Sequence, residues 1–189
     1  MIRTACLFIF KITGWKFVNN VPEEIRSFVM IGAPHTSNYD FIPAMAVSKL
    51  CKRNARFVIK SDWLKFPMNI IMVPAGAVGI DRDKIKEKNQ STTDAMAHLF
   101  EEIPDLVLMI SPEGTRKPND NWKTGFYYIA QKAGVPLVLG YDDHAKKEAG
   151  LGLVIHLTDF ETDMKKISDF YRTVSAAVPE NFLLDKRFP

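Results

Sequence analysis

Two residues five positions apart, His35 and Asp40, are the pair in this chain best suited to chemistry. The segment Ala33-Pro34-His35-Thr36-Ser37-Asn38-Tyr39-Asp40 follows an apolar run, Phe28-Val29-Met30-Ile31, that reads as a strand. On a helix, at about 100° per residue, side chains five apart diverge by about 140°. Imidazole and carboxylate therefore meet only if the backbone turns sharply between them. Pro34, Ser37 and Asn38 are turn formers placed to do this. A loop leaving a strand's C-terminal end and feeding a helix is where α/β sheets hold their ligands. A His–Asp pair there can act as a base, held in one tautomer by its carboxylate.

Two later segments have the composition of anion cradles. Gly76-Ala77-Val78-Gly79-Ile80-Asp81-Arg82 ends a glycine-spaced stretch with an acid–arginine pair. Ser111-Pro112-Glu113-Gly114-Thr115-Arg116 follows directly on an apolar run, Leu106–Ile110. Pro112 and Gly114 shape a turn there, and N–H groups around Gly114 and Thr115 can face an anion. Arg116 offers the planar fork that grips phosphate, and Glu113 can orient that arginine or bond a substrate hydroxyl. Either segment alone is more often structural than functional. Together, behind strand ends and beside a His–Asp turn, they point to a site.

The other histidines have plainer readings. His98 belongs mid-helix, His144 to a polar loop with Asp142 and Asp143, and His156 to a strand run without an arginine-bearing turn nearby. Cys6 and Cys51 form neither a disulfide framework nor a metal site and read as small apolar side chains in a reducing compartment. There is no Gly-x-Ser-x-Gly elbow, so no serine or cysteine nucleophile is expected.

The elements that must position these residues are legible in outline. Apolar runs of strand length occur at Phe28–Ile31, Phe57–Ile59, Leu106–Ile110, Leu137–Leu139 and Leu153–Leu157. Helical period separates them at Lys84–Glu102, Trp122–Lys132 and Glu161–Ala177, and Pro179–Pro189 reads as irregular or an extra turn. The runs are nearly continuous, not alternating, which favours a sheet covered on both faces. The expected fold is α/β: a single-domain layered sandwich with a mostly parallel or mixed central sheet covered by helices, plus a short amphipathic N-terminal helix. Residues 1–20 form that amphipathic segment and 21–189 the main domain.

At 189 residues the chain is long enough for one full core, and 47% hydrophobic with 25% charged residues is ordinary for a globular protein. A net charge of +3 is too small to argue for nucleic acid. The distribution is more informative: Lys49, Lys52, Arg53, Arg56, Lys60 and Lys65 are interrupted by one acid, Asp62. That run is either a solvated face or one that meets anionic head groups or an acidic carrier. As a helix, the N-terminus places Ala5, Phe8, Ile9, Ile12 and Trp15 on one side, flanked by Arg3, Lys11 and Lys16. The pattern suits a membrane interface or packing on its own domain, and a signal peptide less. No stretch has the length of a transmembrane helix. Phe66-Pro67-Met68-Asn69-Ile70-Ile71-Met72 is a second apolar block, suited to an acyl tunnel, a bilayer contact or core.

The motifs together resemble the glycerolipid acyltransferases of the lysophosphatidic acid acyltransferase type, from His35 to about Val138. His35-x-x-x-x-Asp40 resembles the catalytic first motif of that family. Gly79-Ile80-Asp81-Arg82 is similar to the second, whose arginine contacts the acceptor phosphate. Pro112-Glu113-Gly114-Thr115-Arg116 is similar to the third, an acceptor site, and Gly134-Val135-Pro136-Leu137-Val138 to the apolar fourth, associated with the acyl donor. Ser111 departs from the pattern, which often has an aromatic there. The segment before Ile80 also lacks its usual aromatic, and the N-terminal membrane helices common in the family are not visible.

The resemblance implies transfer of a fatty acyl group from acyl-CoA or acyl carrier protein to the free hydroxyl of a lysophospholipid such as 1-acylglycerol-3-phosphate. The catalytic residues implied are His35 and Asp40; the substrate-binding residues are Arg82, Glu113, Gly114, Thr115 and Arg116. No metal and no cofactor beyond the thioester co-substrate are expected, and no covalent acyl-enzyme. The expected partners are a membrane surface, met peripherally or monotopically from the cytoplasmic side, the lipid acceptor, and acyl carrier protein if it is the donor. Other acceptors (glycerol phosphate, an amino-acid lipid), a thioesterase using the same pair with water, and a non-catalytic anion-binding module are the competing readings.

Overall fold

The computed structural model describes residues 2–80 and 91–189. Seven strands form one mixed sheet: β1 (Lys16–Asn19), β2 (Phe28–Gly32), β3 (Asn54–Lys60), β4 (Ala77–Ile80), β5 (Leu106–Ile110), β6 (Leu137–Asp143) and β7 (Glu148–Ile155). Their spatial order is β1-β7-β6-β2-β5-β3-β4. Only β6 and β7 pair antiparallel; the other five pairings are parallel. Strand β2 lies between β5 and β6, so the chain after it emerges at the centre of the sheet.

The expected two-sided cover is present and follows the period-2 geometry of strands. Val29 and Ile31 of β2, Leu106 and Leu108 of β5, and Leu137 and Leu139 of β6 point into one core. Phe28, Met30, Val107 and Val138 point into the other. The first core is closed by α4 (Thr92–Glu102), α5 (Gly125–Ala133) and α6 (Phe160–Tyr171), through Ala97, Phe126, Ile129, Met164 and Ile167. The second is closed by α1 (Ile2–Ile12) and α2 (Phe41–Leu50), through Phe10, Ala46 and Val47. Burying one Leu or Phe side chain fully contributes roughly 1.5–3 kcal/mol, so these strand positions dominate stability.

The N-terminal segment is built into this body: β1 extends the sheet on β7, and α1 packs on α2. Arg3 ties α1 down further, donating from Nε to the Ala75 carbonyl at 3.1 Å at the end of a short helix, α3 (Asn69–Ala75). Gly76 caps α3 at φ 97°, and a Cβ there would overlap the Arg3 guanidinium, so the position needs glycine twice over. The amphipathic side expected of α1 is divided. Cys6 and Phe10 face the core, whereas Phe8 and Ile12 are about two-thirds exposed. Cys6 and Cys51 are both buried free thiols.

Several element boundaries differ from the sequence expectation. Strands β1 and β4 are four-residue edge strands, too short to stand out in the sequence and completed by pairing. Helix α2 has apolar residues on every side, so it has no readable stripe. Helix α6 stops at Tyr171, because the apolar stripe that continues to Val174 is carried by turns. Helix α4 starts behind Ser91, which forms a capping box with Asp94. The part expected from Lys84 lies outside the described residues. The block around Phe66 is not core: Phe66, Ile70 and Val73 are at least half exposed.

Candidate active site

The C-terminal ends of β2, β5 and β6 lie side by side, and the loops leaving them carry the ionisable groups. After β2 the chain turns through a cis Ala33–Pro34 peptide into a 3-10 turn, Asn38–Asp40, that runs directly into α2. Ser37 is its N-cap, accepting the Tyr39 N–H at 3.1 Å. Asp40 Oδ2 reaches back to accept the N–H groups of Thr36 and Ser37 at 2.7 and 2.8 Å. The Ser-x-x-Asp spacing is therefore a capping box, and it fixes the carboxylate at the mouth of the sheet. His35 Nδ1 lies 3.9 Å from the same Oδ2. That is ion-pair distance and longer than a hydrogen bond; such contacts often tighten only when substrate is bound.

Burial, followed by the charge of Arg116, pushes His35 below its ordinary value of 6.5, with Asp40 opposing. The imidazole is thus neutral at pH 7, as a base must be. Burial raises the Asp40 carboxyl, but His144, the Ser37 and Thr36 N–H groups and His35 outweigh it and hold the acid below its usual range. Asp40 is therefore an anion while His35 is neutral.

The loop after β5 contributes Glu113, 2% exposed, whose Oε1 accepts the backbone N–H of His35 at 2.9 Å. Among the described residues Glu113 makes no ion pair with Arg116. Of the two roles its sequence position offered, orienting Arg116 or bonding a substrate hydroxyl, neither names this contact, in which the carboxylate turns inward and joins two loops. Burial lifts Glu113 to about 7, the His35 N–H opposing and Asp40 and Asp142 adding to it. Gly114 adopts φ 66°, and a Cβ there would press on the Lys123 side chain. Thr115 Oγ1 accepts the Lys117 N–H at 3.1 Å, and Arg116 is exposed beside His35.

The loop after β6, whose sequence reads as an ordinary polar loop, adds two groups. Asp142, at the end of β6, and His144, just past it, reach the far side of Asp40. His144 Nε2 lies 3.3 Å from Asp142 Oδ2 and 3.6 Å from Asp40 Oδ1. The Trp15 ring meets the imidazole edge-on at 4.9 Å between centroids. Asp142, then Asp40, raise His144 to about 9, so it is an imidazolium at neutral pH. Asp40, Asp142 and His144 place one ligand atom each within 4.8 Å of one another, the only such metal-sized group among the described residues. No sequence signal ties His144 to Asp40; the parallel pairing of β2 with β6 does.

The C-terminal segment clamps the His35 loop from outside. Val178 N–H donates to Thr36 Oγ1 at 3.2 Å, and Asn181 Nδ2 to the Thr36 carbonyl at 3.4 Å. Tyr171, fully buried, props the floor: its hydroxyl is 2.8 Å from the Ile31 carbonyl and 2.9 Å from that of Gly140.

Arg82 and Asp81 lie outside the described residues; β4, which leads to them, ends at Ile80 on the same edge of the sheet as His35. The Gly134–Val138 segment enters β6 from the opposite edge, with Gly134 capping α5 at φ 65°. His156 follows β7, whose end pairs with the start of β6, far from the site. His98 is exposed beside Glu101 and Glu102 on α4.

A family model described as "Acyltransferase" matches residues 16–138, about two-thirds of the chain. Among solved structures, the 1-acyl-sn-glycerophosphate (LPA) acyltransferase PlsC from Thermotoga maritima is similar in fold. The TM-score is 0.58 at 15% identity, covering 90% of this chain and 75% of that one. No curated protein matches the sequence.

Proposed function

Since the chain belongs to the acyltransferase family, we propose that it moves a fatty acyl group from acyl-CoA or acyl carrier protein to the free hydroxyl of a lysophospholipid, most simply 1-acylglycerol-3-phosphate. The observation that carries this reading is a neutral imidazole beside an ionised carboxylate, His35 and Asp40, at the central strand end with Arg116 next to them. His35 Nδ1 faces Asp40, which leaves Nε2 for the acceptor. Nε2 takes the hydroxyl proton as the oxygen attacks the thioester carbonyl. When the tetrahedral intermediate collapses, the C–S bond breaks and the imidazolium returns its proton to the leaving thiolate. Asp40 keeps the tautomer and stabilises the imidazolium. Base catalysis of this kind contributes about 10²–10⁴ in rate.

Arg116, with Arg82 as the second cation, would hold the acceptor's phosphate, since a guanidinium fork matches two phosphate oxygens. Water needs no such grip, which favours transfer over thioester hydrolysis. Attachment to the membrane is supported by exposed Phe8, Ile9 and Ile12 on α1, and by Phe66, Ile70, Ile71 and Val73 in and before α3, which packs on α1. No helix among the described residues is long and apolar enough to cross a membrane. The proposed attachment is peripheral or monotopic, on the cytoplasmic face. The basic run after α2 is a weaker argument: Arg53 donates to the carbonyls of Pro22, Ile25 and Cys51 and so serves the fold.

The test is an acceptor panel, with acyl-CoA and acyl carrier protein as donors, read by mass spectrometry. Acylated lysophospholipid is expected, with His35→Ala and Asp40→Asn losing at least about 10²-fold while staying folded. Free fatty acid as the sole product, or turnover by His35→Ala, refutes the assignment.

A further inference from the structure

Asp40 stands between two imidazoles, and only one of them is needed as a base. His35 Nδ1 approaches Oδ2 at 3.9 Å, and His144 Nε2 approaches Oδ1 at 3.6 Å. Oδ2 is further occupied by two N–H groups, whereas Oδ1 is buried with no hydrogen bond of its own. His144 is the group that faces it. Behind His144 stands Asp142, 9% exposed, and beside it the Trp15 ring. The His144 backbone is anchored as well, its N–H donating to the Ser175 carbonyl at 2.9 Å.

We propose that His144 is a positioning residue for the reaction: its imidazolium, gripped between Asp142 and Asp40, keeps Asp40 charged and aimed at His35. This rests on the acyltransferase reading above. The physical need is clear. Asp40 and Asp142 are two carboxylates in one buried site, and each disfavours charge on the other. Burial already pushes Asp142 up to about 7, and Asp40 adds to that. A cation between them lets Asp40 remain ionised at the pH where His35 must be neutral. His144 cannot itself be the base, because with two acids facing it the ring is protonated until about pH 9.

Among the described residues, the groups facing this cluster are Asp142 from β6, Asp40 and His35 from the β2 loop, Glu113 and Arg116 from the β5 loop, and the buried Tyr171 hydroxyl from α6, while α1 leads only to the uncharged Trp15 ring. Asp143 and Lys146 of the same turn pair with each other. Deleting the His144 charge therefore moves both relevant equilibria the same way. Asp40 becomes harder to ionise, and His35, losing a neighbouring cation, becomes easier to protonate. Both changes shift the acid limb of turnover to higher pH.

The test is the pH profile of kcat and KM for wild type, His144→Gln, His144→Ala and Asp142→Asn, beside imidazole titrations by NMR that need no turnover. In His144→Gln, kcat should fall about 10- to 100-fold, a part of the base contribution, with KM little changed. Its acid limb should rise, and the wild-type alkaline limb near the His144 value should vanish. In Asp142→Asn the alkaline limb should move down, because the carboxylate that raises His144 most has gone. If His144→Ala fails to fold, His144→Gln and Asp142→Asn still decide the matter. Folded variants with wild-type kcat and profile overturn the proposal, as does an NMR value for His144 near 6.5. So does turnover abolished by EDTA and restored by Mg²⁺ or Zn²⁺, which would put a cation where the imidazolium is placed. Turnover by His35→Ala would sink the catalytic reading instead, whatever His144 does, so the two failures are distinct.

Discussion

Glu113 Oε1 accepts the backbone N–H of His35 at 2.9 Å, so the loop after β5 fixes the loop after β2 through a carboxylate that is almost fully buried. The acid is raised from 4.5 to about 7 in the fold, chiefly by burial. Between those values the native state binds more protons than the unfolded chain, so this group makes stability fall as pH rises across the window and leaves it level above. The difference corresponds to roughly 3 kcal/mol. Glu113→Gln keeps a carbonyl to accept the His35 N–H and removes the titration. Urea unfolding at pH 5 and pH 7.5 should show a smaller loss of stability for the variant than for wild type. An unchanged difference would mean the carboxyl titrates normally.

Arg116 has two effects that one substitution separates from each other. Its charge depresses His35, and its exposed fork is the proposed phosphate grip. In Arg116→Gln the His35 value should rise, moving the acid limb of kcat/KM upward. KM for a phosphate-bearing acceptor should rise about tenfold or more, since a charge-assisted contact contributes roughly 1.5–3 kcal/mol. A neutral acceptor should show the first effect without the second. Equal losses on both acceptors would remove Arg116 from the phosphate site.

The contrast between these residues shows what a sequence carries. The His35–Asp40 turn was legible because proline, serine and asparagine announce it locally, and Ser37-x-x-Asp40 is a capping box within one turn of chain. The runs in β2, β5 and β6 were legible because those strands are largely buried on both faces, which demands uninterrupted apolar residues, whereas β3 and β7 were legible only at their apolar ends, Phe57–Ile59 and from Leu153 on. Edge strands β1 and β4 were not, since each is only four residues long and is completed by pairing with a neighbour. Nor was the inward turn of Glu113 onto the His35 N–H, since its neighbours in sequence suggest only Arg116 or a substrate hydroxyl as partners. The Asp142–His144 pair was hidden for a topological reason: it lies about a hundred residues from Asp40 and meets it only because β6 aligns beside β2.

Tyr171 was expected in a core stripe, and its ring is there, but its hydroxyl has a further role. It lies within 2.9 Å of the Ile31 and Gly140 carbonyls, where β2 and β6 separate to release the His35 and His144 loops. One proton serves both acceptors, inside a fully buried space. Tyr171→Phe keeps the ring and removes the donor, leaving carbonyls short of a partner. The expected cost is about 1–3 kcal/mol, read as a lower urea midpoint at unchanged m. Turnover should fall too, because both loops start from those strand ends. A variant as stable as wild type would show that the hydroxyl is not needed there.

The exposed apolar side chains on α1 make a prediction about the membrane that is independent of catalysis. Phe8 and Ile12 are 64% and 65% exposed, while Cys6 and Phe10 on the same helix hold it to the core. A charge at Phe8 or Ile12 should therefore leave the fold alone, whereas one at Phe10 would not. Fully burying a side chain of this size contributes roughly 1.5–3 kcal/mol. The double variant Phe8→Asp and Ile12→Asp should thus lose at least about tenfold in binding to anionic phospholipid vesicles, with Tm unchanged. Turnover on a micelle-free, short-chain acceptor should be retained, because the groups of the site come from the loops after β2, β5 and β6. Vesicle flotation measures the first effect and thermal melting the second. Wild-type flotation by the folded double variant would move the membrane contact away from α1.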